Sequence, residues 1–176
     1  MLVEEALRRH DVVERTLAEH ARRARELERH FRLLRRALGL RKVFMEVGAG
    51  AGALAHRVAG YVERAYAIDT SAQAMQALRR PGNVVALRAE ASGIPVPEGT
   101  VDIAFSRELV AQQLRSIHRS LAPGGRYLCP AAGSSRKALA AAGFRRLRSY
   151  VRIGGWYARL PFPLDRLFGA CIEAVK

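Results

Sequence analysis

Apolar or neutral-capable side chains recur at steps of three and four along the first 38 residues: Val3, Ala6, His10, Val13, Leu17, His20, Ala24, Leu27, Phe31, Leu34 and Leu38. That period puts them on one face of a helix. Acid-first pairs four apart support it: Glu4 with Arg8, Glu5 with Arg9, Asp11 with Arg15, Glu19 with Arg23 and Glu28 with Arg32. With Gly39 as a C-cap, the pattern predicts one long helix or two collinear ones over 2–38. The stripe needs a cover, supplied by the rest of the chain, by a second copy in a homodimer, or by both. His10 and His20 fall within it and read as interior or interface histidines, because no third metal ligand accompanies them.

Beyond residue 40 the period changes to short apolar runs separated by helical or turn-rich segments. Lys42–Val47, Ala65–Ile68, Val84–Leu87 and Val101–Phe105 read as strands, the last apolar except for Asp102. Ala53–Gly60 reads as a short helix, and Ser71 as the N-cap of another over Ala72–Arg80 that Pro81-Gly82-Asn83 ends. Further on come a Pro123-Gly124-Gly125 turn with a fifth strand after it, a helix over Ser135–Ala142 and a strand from Gly143 to Ile153. Gly154-Gly155 is a turn or bulge, Pro161 and Pro163 mark a loop, and Phe168–Val175 is the last strand. Strands alternating with helices predict an α/β domain with a mainly parallel sheet.

The stretch Glu46-Val47-Gly48-Ala49-Gly50-Ala51-Gly52 joins the first strand to its helix. Glycine suits a turn where the backbone bends sharply and a ligand approaches closely. Asp69 ends the next strand, 17 residues after Gly52, where a carboxylate can accept from both ribose hydroxyls of a nucleoside. Two cofactor classes fit such a half-site, a dinucleotide and S-adenosylmethionine. The third glycine stands one place early for a dinucleotide turn. A carboxylate at Glu46 would repel a pyrophosphate and tolerate an ammonium or sulfonium.

Three downstream segments complete a resemblance. Ala89-Glu90-Ala91 with Ile94-Pro95-Val96-Pro97-Glu98-Gly99-Thr100-Val101-Asp102, and Ile117-His118-Arg119-Ser120-Leu121-Ala122-Pro123-Gly124-Gly125-Arg126, follow the glycine turn in order. Together these resemble the class I S-adenosylmethionine-dependent methyltransferase family over roughly residues 40–130. The resemblance implies a three-layer, Rossmann-like, seven-stranded sheet, mostly parallel, whose last strand runs antiparallel between strands five and six. Residues 39–176 would form the S-adenosylmethionine-binding domain, with 1–38 a helical segment packed on it, in some relatives a lid over the substrate pocket. It implies cofactor contacts from Glu46, Gly48, Ala49, Gly50, Gly52, Asp69, Thr70, Glu90, Ala91 and Ser106, with Glu46 at the amino-acid end, Asp69 on the ribose and Glu90 at the adenine. It also brings Cys129 and Cys171 near each other without implying a bond.

The acceptor side departs from the family. Ser106-Arg107-Glu108-Leu109 is neither the Asn/Asp-Pro-Pro-Tyr/Phe run used on base amino groups nor a cysteine nucleophile. Val110 runs directly into Ala111-Gln112-Gln113, and the chain is similarly short after Gly133. No catalytic acid–base pair is visible, and methyl transfer from a sulfonium needs none. Arg107 and Glu108 are candidates for touching an acceptor.

Composition adjusts the picture in two ways. The net charge of +14 raises a nucleic-acid partner. However, 27 of the 30 basic residues are Arg in an Ala- and Leu-rich chain, and the excess is spread, with +3 over 1–38, +6 over 39–143 and +5 over 144–176. Two cysteines support neither a disulfide framework nor a metal site, and no apolar run approaches a membrane span. The expectation is a cytoplasmic methyltransferase with a small-molecule acceptor. The alternatives are a non-catalytic module that binds S-adenosylmethionine, S-adenosylhomocysteine or a partner, and after that an RNA methyltransferase.

Overall fold

The computed structural model describes residues 2–71, 82–90, 93–109, 111–130, 135–153, 156–159 and 171–176, with the side chains of the first helix described from residue 18 onward. In chain order the elements are α1 (Leu2–Arg35), β1 (Gly39–Val47), α2 (Ala53–Val58), β2 (Val62–Asp69), β3 (Val84–Arg88), β4 (Val101–Ser106), α3 (Leu114–Ser120), β5 (Leu121–Pro130), α4 (Ser135–Ala141), β6 (Arg145–Ile153), β7 (Trp156–Arg159) and β8 (Cys171–Val175). The sheet order is β3-β2-β1-β4-β5-β8-β6-β7. The first five of these strands pair in parallel, and β8 is antiparallel to both β5 and β6.

Alternation along each strand divides the core between two faces, because successive side chains point to opposite sides. Met45, Val47, Tyr66, Ile68, Ala104, Tyr127 and Ile172 pack with Leu114 and Ile117 of α3 and Leu139 of α4. On the other face Phe44, Ala65, Ala67, Ile103, Phe105 and Leu128 pack with Phe31 and Leu34 of α1 and with Leu54, Ala55 and Val58 of α2. Helices on both faces of a mostly parallel sheet make the expected three-layer, Rossmann-like architecture.

The sheet has eight strands rather than seven. Trp156–Arg159 pairs antiparallel with β6, Ile153 opposite Trp156, so the two glycines at 154 and 155 stand between the partners of a hairpin. The helix expected over 72–80 and the start of the last strand at 168–170 lie outside the described residues.

Three local features differ from the sequence pattern for identifiable reasons. First, α1 ends at Arg35, where Ala37 and Leu38 donate to the Leu34 carbonyl and the Lys42 ammonium caps Ala37 O at 2.6 Å; Gly39 is the first residue of β1. Second, the β1–β2 register shifts between Gly39 and Val43, and the Asp102 carboxylate accepts from Val43 N at 2.8 Å. That accounts for the polar residue in β4, since an unpaired strand amide is costly when buried. Third, Pro123-Gly124-Gly125 is an irregularity inside β5 rather than a turn before it, with Val101 opposite Leu121 and Ile103 opposite Arg126. A Cβ on Gly125 would lie 2.8 Å from Ala122 O and 2.9 Å from Val101 O.

The stripe on α1 is buried only near its end. Phe31 and Leu34 are core residues, Leu27 is half-buried, and residues 18–25 are exposed, His20 among them. The packed part of the N-terminal segment is thus its last three turns. They are held by Phe31 against Tyr61, the Arg57 guanidinium over the Phe31 ring at 3.8 Å, and the Glu28–Arg57 ion pair. Two of the acid-first pairs form as expected, Glu19 with Arg23 and Glu28 with Arg32. The earlier ones, and His10, involve side chains outside the described set. Cys129 and Cys171 are buried, diagonal neighbours across the β5–β8 ladder, on opposite faces.

Candidate functional site

The strand order reverses between β1 and β4: chain order runs outward from β1 through β2 to β3, and from β4 through β5 on the other side. A crevice opens beyond the carboxyl ends of the strands at such a point. The glycine turn leaves β1 there. Gly48, Gly50 and Gly52 all adopt left-handed backbone, with φ of 71°, 53° and 77°, a region that costs other residues roughly 1–2 kcal/mol. A Cβ on Gly48 or Gly50 would meet nothing within 4 Å, whereas one on Gly52 would touch the Ala67 Cβ at 3.4 Å. Gly52 therefore seats the turn on β2, and the first two glycines line open space. Ala49, buried beneath, donates its amide to the Ile68 carbonyl at 2.9 Å.

Asp69 closes the turn from the side. Its Oδ2 accepts from Gly50 N at 2.6 Å and its Oδ1 from Ser71 N at 2.9 Å. Each carboxylate oxygen can accept twice, so one position on each remains for two neighbouring hydroxyls. Thr70 beside it is exposed. The amide of Ala89 donates to Asp69 O at 3.0 Å, which brings exposed Glu90 next to the end of β2. Ala91 lies outside the described residues.

Glu46 is fully buried, facing α2. Its Oε2 accepts from Ala55 N at 2.9 Å, but Oε1 has no hydrogen-bond partner. The nearest cation is Arg107, whose Nη2 is 4.0 Å from Oε1. Burial, partly offset by the Ala55 amide and Arg107, pushes this carboxyl up from 4.5 to about 7. A second buried carboxylate, Glu173 on β8, makes an instructive contrast. Arg126 and Arg148 both lie 3.7 Å from one of its oxygens and the Tyr150 hydroxyl donates to the other at 2.8 Å. Two guanidinium groups already neutralise Glu173. Glu46 has one, at a distance.

Ser106 behaves differently from the other expected contacts. Its hydroxyl is buried, donates to Glu108 O at 2.6 Å, and lies 2.6 Å from the Tyr127 hydroxyl, which must then be the donor to it. Ser106 holds the turn after β4 rather than presenting its hydroxyl to the crevice. Tyr127 escaped sequence reasoning because nothing distinguishes its phenol from an ordinary core ring. His30 escaped too: it reaches from α1 to the Phe105 ring, centroids 4.8 Å apart, beside Arg107. Burial lowers its pKa, against a smaller opposing pull from Glu26. The link from β4 to α3 is short, with one 3₁₀ turn at Ala111–Gln113 among its described residues.

The orphaned Glu46 oxygen, the open glycine cradle and the side-on carboxylate of Asp69 suit a nucleoside with a cationic tail. Residues 45–129 match the family model described as a methyltransferase domain. Among solved structures, the chain resembles an Aquifex aeolicus S-adenosylmethionine-dependent methyltransferase at 19% identity and TM-score 0.56, covering 78% of this chain and 83% of that one. It also resembles a Thermotoga maritima methyltransferase described as a possible histamine N-methyltransferase, at 15% identity and TM-score 0.62, covering 93% and 97%. A chain from the Haloferax volcanii complex of the Trm112 methyltransferase activator with a methyltransferase aligns at 18% identity and TM-score 0.63, covering 84% and 90%. No curated protein matches the sequence. The family match through the glycine turn, with the fold that surrounds it, places this chain in the class I S-adenosylmethionine-dependent methyltransferase family.

Proposed function

We propose that the protein is a working S-adenosylmethionine-dependent methyltransferase with a small-molecule acceptor. The observation that carries this reading is the buried, half-satisfied Glu46 beside the open backbone of Gly48 and Gly50, with Asp69 across from it. A cationic ligand group is what an incompletely neutralised buried carboxylate lacks. S-adenosylmethionine supplies an already activated methyl group, transferred by in-line displacement from its sulfonium. The chain's residues then have only to bind, align and exclude water. Asp69 takes the ribose hydroxyls, Gly48, Ala49, Gly50 and Gly52 shape the floor, and Thr70 lies beside Asp69. Glu46 takes the ammonium, while Glu90 and Ala91 approach the adenine. Ser106, through Tyr127 and the Glu108 carbonyl, fixes the turn on which an acceptor would approach.

A non-catalytic cofactor-binding module is the second reading, favoured by the short connection from β4 to α3. Among the described residues no helix is long and apolar enough to cross a membrane. Two measurements separate the readings. Titration calorimetry with S-adenosylhomocysteine should show binding that Asp69→Ala weakens at least tenfold, about 1.4 kcal/mol; unchanged affinity in the variant defeats the site assignment. Transfer of labelled methyl to small amines, carboxylates, phenols or thiols supports the enzyme, and binding without transfer to any of them supports the module.

A further inference from the structure

Arg107 follows Ser106 directly, and the Ser106–Glu108 hydrogen bond fixes the turn that carries it. Its side chain is 43% exposed, while the Glu46 side chain it faces is completely buried. The 4.0 Å between them is an ion-pair distance but too long for a hydrogen bond. One wall of this gap is therefore a buried anion with an unbonded oxygen, and the other is a half-exposed guanidinium. A simple cation entering the gap would be repelled by Arg107, and a simple anion by Glu46. A group bearing both charges on adjacent atoms satisfies both walls, with an ammonium on Glu46 Oε1 and a carboxylate on the guanidinium fork. Neighbouring His30, whose burial favours the neutral ring, adds no competing cation.

We infer that Arg107 is the receptor for the carboxylate of the cofactor's α-amino-acid end, acting as the positive half of a zwitterion clamp whose negative half is Glu46. This rests on the cofactor reading above and deepens it. It assigns to the residue after β4 a specificity role toward the donor, where the sequence suggested only a candidate acceptor contact.

The test compares three ligands by calorimetry at pH 8, on wild type and Arg107→Met. S-adenosylhomocysteine has both charges, S-adenosyl-3-thiopropylamine has the amine without the carboxylate, and 5′-methylthioadenosine has neither. Wild type should prefer S-adenosylhomocysteine to the thiopropylamine at least tenfold. Arg107→Met should bind S-adenosylhomocysteine at least tenfold more weakly, while its affinity for the other two changes less than twofold. The methylthioadenosine arm also reports that the adenosine half-site of the variant is intact. Equal loss for all three ligands, equal loss for the two amines, or no loss at all would overturn the clamp. Wild type binding none of the three would instead overturn the cofactor reading, and the clamp with it.

Discussion

Replacing Glu46 with Gln removes an ionisation while keeping the side chain's shape and its acceptor for the Ala55 amide. Burial raises the Glu46 carboxyl from 4.5 to about 7, so the fold prefers the neutral form. Its stabilising contribution is complete below pH 4.5 and is lost as pH rises through about 7. That separation amounts to roughly 3 kcal/mol at about 1.4 kcal/mol per tenfold change in protonation. For a chain of this size, roughly 3 kcal/mol moves the melting temperature by about 6–12 °C. Glu46→Gln should therefore melt close to wild type at pH 5 and well above it at pH 8, in thermal denaturation without cofactor. Every other titrating group is common to both proteins, so the difference between the two curves isolates Glu46. A gap that stays constant from pH 5 to pH 8 would refute the claim that an under-neutralised carboxylate is buried there.

The same carboxyl makes binding pH-linked: an ammonium on Glu46 favours its ionised form, so S-adenosylhomocysteine binding at pH 6 should release close to one proton, and at pH 8.5 almost none. Titrations in buffers of different ionisation enthalpy read this directly, and heats independent of buffer at pH 6 would count against it. Gly125→Ala forces a methyl against two backbone carbonyls at 2.8 and 2.9 Å. It should cost about 1–3 kcal/mol, seen as a lower urea midpoint, and an unchanged midpoint would contradict the close packing of β4 on β5.

The cofactor half of the protein was legible because its signals are local. The glycine turn, the alternating strands on either side and the acid at the end of β2 follow one another within about thirty residues, and each is tied to a backbone requirement. What the sequence hid was non-local. Nothing in the α1 pattern says that its stripe stops being covered before residue 25, since that depends on how far the sheet extends beneath it. Nor does it say that His30, off the stripe, meets Phe105. Asp102 looked like a flaw in an apolar strand until the irregular start of β1 supplied its donor. Ser106 was assigned to the crevice by its place after β4, but one hydroxyl cannot be aimed from sequence when Tyr127 and the Glu108 carbonyl compete for it. The eighth strand was half visible, because two glycines mark a turn without saying that the residues after them pair back on the strand before.

The central claim is that the crevice above β1 and β4 holds an adenosyl amino acid by its ribose at one end and its charged head at the other. A crystal structure of the protein with S-adenosylhomocysteine tests it most directly. The account predicts ribose hydroxyls within hydrogen-bond distance of Asp69 and the ligand ammonium on Glu46 Oε1. Ligand density elsewhere, or a crevice filled by the protein's own side chains with Asp69 turned away, would contradict it.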